Sequence, residues 1–290
     1  MYYKNKNEYF KLLTILITFL VLIVYGLILT VIQSFGKMLP VESNIEGFEA
    51  YKILLTDKWF INSAIFSINV AFKSTIFSML IGSVLAYWIW KQDANDQKKL
   101  IVYKIPLILP HIVAAFFVQL IFSKSGLLSA ISINMGLIKS INSFPELVYS
   151  EKGTGIILAY IYKEVPFVIL FQLANYSRIN KNLLIAAKNL GASNSTIFRK
   201  VILPDLIPTI NSTMIIIFLY TLGAFEIPFL LGASRPEMIP VYIFNIYFNS
   251  NLDQRPLAMA ALTLLFLFSS IFITLYYLVI KHIKNSQRAL

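Results

Sequence analysis

Four charges interrupt stretches that are otherwise apolar: Lys73, Lys163, Glu164 and Glu226. A charge at the bilayer centre costs about 2.5–3.5 kcal/mol on insertion scales, so such residues face a bundle interior, water or a partner. Neighbours in a helix point apart, so Lys163 and Glu164 each require a separate partner. Pro166 and Pro228 stand close by, and each is expected to free a carbonyl in its helix. The chemistry open to this set is electrostatic: lining a solute path or its gate, or fixing packing. Catalysis has little to work with. Cysteine is absent, and the two histidines, His111 and His282, are far apart. No His/Asp/Glu grouping has metal-ligand spacing. Gly-x-Ser-x-Gly, His-Glu-x-x-His and the phosphate loop Gly-x-x-x-x-Gly-Lys-[Ser/Thr] are all missing. His111, directly after Pro110, reads as a hydrogen-bonded packing residue.

A second pattern lies between Ser177 and Pro204. Five positive charges (Arg178, Lys181, Lys188, Arg199, Lys200) occur there without a negative one. Helical apolar spacing persists: Leu183, Leu184, Ala187 and Leu190 form one stripe, and Ile197, Phe198, Val201 and Ile202 another. Gly191 separates them where a helix C-cap needs a left-handed residue. Ser193 can N-cap the second piece. Pro204 is expected to stop it, with Asp205 capping the next helix. The reading is a helix–turn–helix with exposed apolar knobs, either resting on headgroups or plugging a groove on a partner.

The elements that position these residues can be read from composition. Of 290 residues, 58% are hydrophobic and 13% charged, and the mean hydropathy is +0.72. Soluble domains are nearer half apolar and a quarter charged. This excludes a soluble enzyme and a disordered chain, and leaves an all-α, multi-pass membrane protein. Six spans are read, at about 12–33, 61–90, 105–122, 154–176, 205–231 and 257–280. The first is too long for a cleaved signal core and reads as a retained anchor. Fifteen Lys and Arg lie in the N-terminus, the 91–104 loop, the 177–204 loop and the C-terminus, and eight lie on the other side. That bias puts both termini in the cytoplasm. It also accounts for the net charge of +11 without a nucleic-acid partner. Trp59 and Phe60 at the outer end of the second span, and Trp88 and Trp90 at its inner end, fit the aromatic belts of headgroup level.

Ala186, Ala187, Gly191, Leu203 and Pro204 match the cytoplasmic signature loop of binding-protein-dependent ABC importer permeases. That pattern is Glu-Ala-Ala, three residues, Gly, nine residues, Ile, one residue, Leu-Pro. Val201 replaces the Ile, and Ile185 stands at the Glu position. Gly126-Leu127-Leu128, Lys163-Glu164-Val165-Pro166 and Phe225 to Gly232 also resemble that family. Together with Leu190-Gly191-Ala192, they look most like its polyamine, thiamine, ferric iron and phosphonate branch.

The resemblance implies a MetI-like permease core with a peripheral first span and outer loop (1–60), a five-helix core (61–280) and a coupling loop (177–204). Ala186, Ala187, Gly191, Ala192, Ser193, Phe198, Leu203 and Pro204 would form the contact to an ATPase. It implies two ATPase subunits that hold ATP and Mg, a second and different permease, an extracellular solute-binding protein, and the bacterial cytoplasmic membrane with its lipid. This chain would bind no cofactor and catalyse nothing. Lys73, Lys163, Glu164, Pro166, Glu226 and Pro228 are candidates for the path or gate of a small solute, polyamine or similar. The outer loops 34–60, 123–153 and 232–256 carry apolar stretches such as Leu127–Ile138 and Val241–Phe248, which read as short re-entrant or surface helices; in the resembled family, external segments meet the binding protein. The rival is a secondary transporter driven by an ion gradient, which would call for a midplane ion site and internal repeats. An intramembrane enzyme would need a metal or nucleophile constellation.

Overall fold

The computed structural model describes residues 6–38, 43–92 and 104–288. Most of the 91–104 loop, with Lys98 and Lys99, and Lys4 at the N-terminus lie outside the described residues. Every regular element among the described residues is helical. Five stretches are long and apolar enough to cross a membrane: Lys58–Lys91, His111–Asn134, Thr154–Tyr176, Asn194–Gly223 and Leu252–His282. A shorter apolar stretch runs over Phe19–Ser34.

The chain divides into two compact units, Met1–Ile61 with Tyr242–Leu290, and Asn62–Val241. In the first, α1 (Lys6–Ser34) packs along the last helix, which runs Arg255–Arg288. Helix α2 (Glu49–Thr56) packs on that last helix too, burying Ala50 and Leu54 against Ala258 and Ala261. The small residues Ala50, Ala258 and Ala261 allow the two helices to approach closely. Phe19, Leu20, Leu22 and Ile23 of α1 are exposed, as a lipid-facing helix requires.

The second unit is built around α7 (Thr154–Tyr176). It is preceded by α3 (Lys58–Lys91, which begins in the first unit), α4 (Ile105–Ile108), α5 (His111–Phe122) and α6 (Leu127–Asn134). After it come α8 (Lys181–Asn189), α9 (Asn194–Ile197), a π-turn over Phe198–Ile202, α10 (Leu203–Gly223) and α11 (Glu226–Leu231). Helix α12 (Ile239–Asn249) leads out of the unit, and the last helix is α13. Ile156, Ala159 and Tyr160 of α7 are buried against Phe66 and Val70 of α3, Ala115 and Val118 of α5, and Ile227 and Leu231 of α11. At its other end Ile169 and Tyr176 join Ala86, Ile197, Ile202 and Leu206. At Gly82 α3 and α7 approach closely: a Cβ there would lie 2.6 Å from Val168 Cβ.

Three sequence expectations are corrected. The third span does not start at Ile105. The chain leaves the helix at Leu109, which is extended, and restarts at His111 after Pro110. A residue before proline is pushed out of the helical region. Pro204 does not stop a helix either: Asn194 to Gly223 is continuous through the π-turn. The wider turn relieves the clash that proline makes with the carbonyl four residues back, so Pro204 sits in the first turn of α10. Asp205 therefore caps nothing, and no side chain caps that end. Finally, the fifth span breaks at Ala224, so Glu226 and Pro228 belong to the separate α11. Pro228 lies in its first turn, where a missing N–H costs no helix bond. Pro166 remains inside continuous α7.

Candidate functional site

The loop from 177 to 204 is held by local hydrogen bonds. Asn180 Oδ1 accepts from Asn182 N at 2.9 Å and starts α8. At the far end Gly191 has φ +77°, Gly191 N donates to Lys188 O at 2.9 Å, and Ala192 N donates to Ala187 O at 3.0 Å. This pair of bonds is a Schellman motif, which closes a helix on a left-handed residue. Ser193 Oγ then accepts from Thr196 N at 3.2 Å and caps α9.

Ile197, Phe198, Val201 and Ile202 all face inward, with the Phe198 ring edge-on to Tyr87 at 5.1 Å. The first stripe divides. Leu184 and Ala187 pack inward, whereas Leu183 and Leu190 are exposed together with Ile185 and Ala186. Leu190 is 87% exposed. Beside these apolar knobs stand exposed Lys188, Arg199 and Lys200, a surface complementary to an apolar groove with an acidic rim.

The intramembrane charges are handled differently. Pro110 has no N–H, so the carbonyl of Pro106, four residues back, loses its helical donor. Lys163 Nζ donates to that carbonyl at 2.6 Å and to Leu109 O at 2.7 Å, closing the broken end of α4. Glu164 points elsewhere. Its Oε2 accepts from Ser78 Oγ at 2.8 Å, and its Oε1 accepts from Thr221 Oγ1, tying α3, α7 and α10. Both residues are buried. Each thus has its own partners, as their adjacency requires.

Two further ties lie along α7. Gln172 Nε2 donates to Ser83 Oγ at 2.6 Å, and Asn175 Nδ2 donates to Thr209 Oγ1 at 2.7 Å and Asp205 O at 3.0 Å. Ser78, Ser83, Thr209 and Thr221 were not singled out in the sequence. Their signal is weak, since a hydroxyl within a span can always satisfy itself on its own helix. Gln172 and Asn175 were legible by the rule that singled out the charges, because an amide in hydrocarbon also needs partners.

A cavity of about 220 Å³ opens beside this cluster, lined by His111, Lys163, Glu164, Phe167, Ile216 and Tyr220. The His111 ring lies 5.3 Å from that of Tyr220. Glu226 is exposed at the start of α11 and within electrostatic reach of His111, Tyr160 and Tyr220. Lys163, Glu164 and Glu226 therefore gather in one region. Lys73 stands apart, exposed on α3. A second cavity, of about 430 Å³, lies between α3, α7 and the start of the Asn194–Gly223 helix, with Tyr87, Tyr176 and Phe198 in its wall.

The chain thus combines helices long and apolar enough to cross a membrane, a basic loop with exposed apolar residues, and charges gathered beside helix breaks. Residues 78–285 match the family described as "Binding-protein-dependent transport system inner membrane component". The chain belongs to this family, the permease subunits of ABC importers, which are transport components rather than enzymes.

It is 29% identical over 227 residues to the inner membrane ABC transporter permease protein YdcU of Escherichia coli K12, covering 75% of this chain and 70% of that one. It is 22% identical over 186 residues to the spermidine/putrescine transport system permease protein PotB of Salmonella typhimurium SL1344, covering 64% and 63%. Its fold resembles that of a bacterial ABC transporter for import of the acidic polysaccharide alginate, with a TM-score of 0.78, 20% identity and 95% of each chain covered. The MetNI methionine ABC transporter gives a TM-score of 0.59 at 15% identity, over 77% of this chain and 94% of that one.

Proposed function

We propose that this chain forms one half of an import path in a bacterial cytoplasmic membrane, with six spans and both termini inside. The loop built on Ala186, Ala187, Gly191, Ala192, Ser193, Phe198, Leu203 and Pro204 docks into one of two ATPase subunits, which carry ATP and Mg. A second permease, a different chain, completes the path, and an extracellular binding protein delivers the solute. The residues 1–290 act as one permease domain. The chain itself performs no catalysis and binds no cofactor.

The observation that carries this reading is the loop's geometry. A Schellman-closed turn presents Leu183, Ile185 and Leu190 outward among basic residues, and its second helix runs unbroken from Asn194 to Gly223. At 1.5 Å per residue those 30 residues span about 45 Å, so docking at one end moves the other. That far end carries Thr221, bonded to Glu164, and leads into the break before Glu226. Lys163, Glu164, Pro166, Glu226 and Pro228 form the path or its gate. The solute is a small polar or charged molecule of the polyamine kind. An exposed Glu226 beside aromatic rings suits an organic cation, and a spermidine/putrescine permease is among the relatives.

The test is co-purification of the tagged chain from its native membrane. An ATPase and a second multi-pass chain are expected. A chain that purifies without an ATPase would return the reading to a secondary transporter.

A further inference from the structure

Helix α3 has two faces. The inner one carries Ser63, Ser67, Val70, Ala71, Ser74 and Ser78, all buried. The outer one is exposed along the helix, and its first half carries a polar line. At 100° per residue, Asn62, Asn69 and Lys73 fall within about 40° of one another. All three are exposed, and Ile65, Phe72, Phe77 and Leu80 flank them on the same side.

Lys73 is 15 residues from one end of α3 and 18 from the other, which puts it within about 2 Å of the helix midpoint. In a hydrocarbon layer about 30 Å thick, its four-carbon stem is too short to carry the ammonium to either surface. The chain shows what a lysine at such depth requires. Lys163 obtains two carbonyls at 2.6 and 2.7 Å. Lys73 has no hydrogen bond or ion pair with any described residue, and its ammonium still requires a counterpart. Lipid tails offer none.

We propose that the Asn62–Asn69–Lys73 line is the seam where this chain meets the second permease. The facing helix of that subunit presents a carboxylate at mid-depth opposite Lys73. This rests on the importer reading and adds to it which face pairs and with what chemistry. The asparagines suit a polar helix surface on either side of the ion pair, and the flanking apolar residues exclude water.

The chain contains no cysteine, so Asn69→Cys creates a unique thiol. Benzophenone maleimide on Cys-substituted position 69, photolysed in the intact complex in its own membrane, is expected to form an adduct with the second permease. Lys73→Glu is expected to lower the yield of co-purified second permease at least tenfold, while Lys73→Arg keeps it. Adducts with lipid alone would overturn the proposal, as would a Lys73→Glu complex recovered at the parent yield. The photo-adduct is read in an assembled complex, so it decides the matter even if Lys73→Glu fails to fold. An unsubstituted chain that brings down no ATPase would instead sink the importer reading, leaving the seam without its partner.

Discussion

The turn at Gly191 and the break at Leu109–Pro110 are both places where a helix ends and another begins, but they are closed in opposite ways. At Gly191 the orphan groups are satisfied within a few residues, by the bonds of Gly191, Ala192 and Ser193 to Lys188, Ala187 and Thr196. At Pro110 the orphan carbonyls are satisfied by Lys163, 57 residues from Pro106 along the chain. The first kind of closure is made entirely by near neighbours in the chain and calls on no distant residue. The second exists only in the folded unit, and makes one side chain answer for the geometry of a span.

The sharpest way to break the comparison is at the local turn. Gly191→Pro cannot adopt φ +77°, since proline is held near −65°. Transport in proteoliposomes is expected to fall at least tenfold while ATPase activity persists and the chain remains inserted. Normal transport would refute the assignment of this turn to coupling.

The long-range closure is tested by Lys163→Met, which leaves Pro106 O and Leu109 O unpaired at about 1–3 kcal/mol each. A lower unfolding midpoint in detergent is expected, with Lys163→Arg restoring part of it. An unchanged midpoint would mean that water serves these carbonyls equally well. The smallest effect belongs to the loop's own cap. Ser193→Ala should cost about 1 kcal/mol locally, and Ser193→Gly only a few tenths. Hydrogen exchange over 193–197 should rise in the first and hardly move in the second.

Legibility in the sequence divides along the same line. Gly191 and Ser193 were legible because their roles depend on residues three to five positions away, where sequence spacing is geometry. The existence of the fourth span was legible to its ends, Thr154 and Tyr176, since both are set by local turn and helix signals. The breaks at Leu109 and Ala224 were not, because the apolar pattern runs through them and a hydropathy reading joins the pieces. The exposed and inward halves of the 183–190 stripe were also missed, since periodicity shows that a face exists but not what covers it.

By itself the sequence determined an all-helical, membrane-spanning composition and the place of the Gly191 turn, while its motifs only resembled those of a permease family. Hydropathy, charge bias and short-range caps depend on composition and on near neighbours. Only the tertiary structure decided that Glu164 ties Ser78 to Thr221, that Lys163 closes the α4 break, and that Lys73 is left facing outward. Those pairings join residues dozens of positions apart, and in hydrocarbon a polar group takes whichever partner the packing of helices brings within reach.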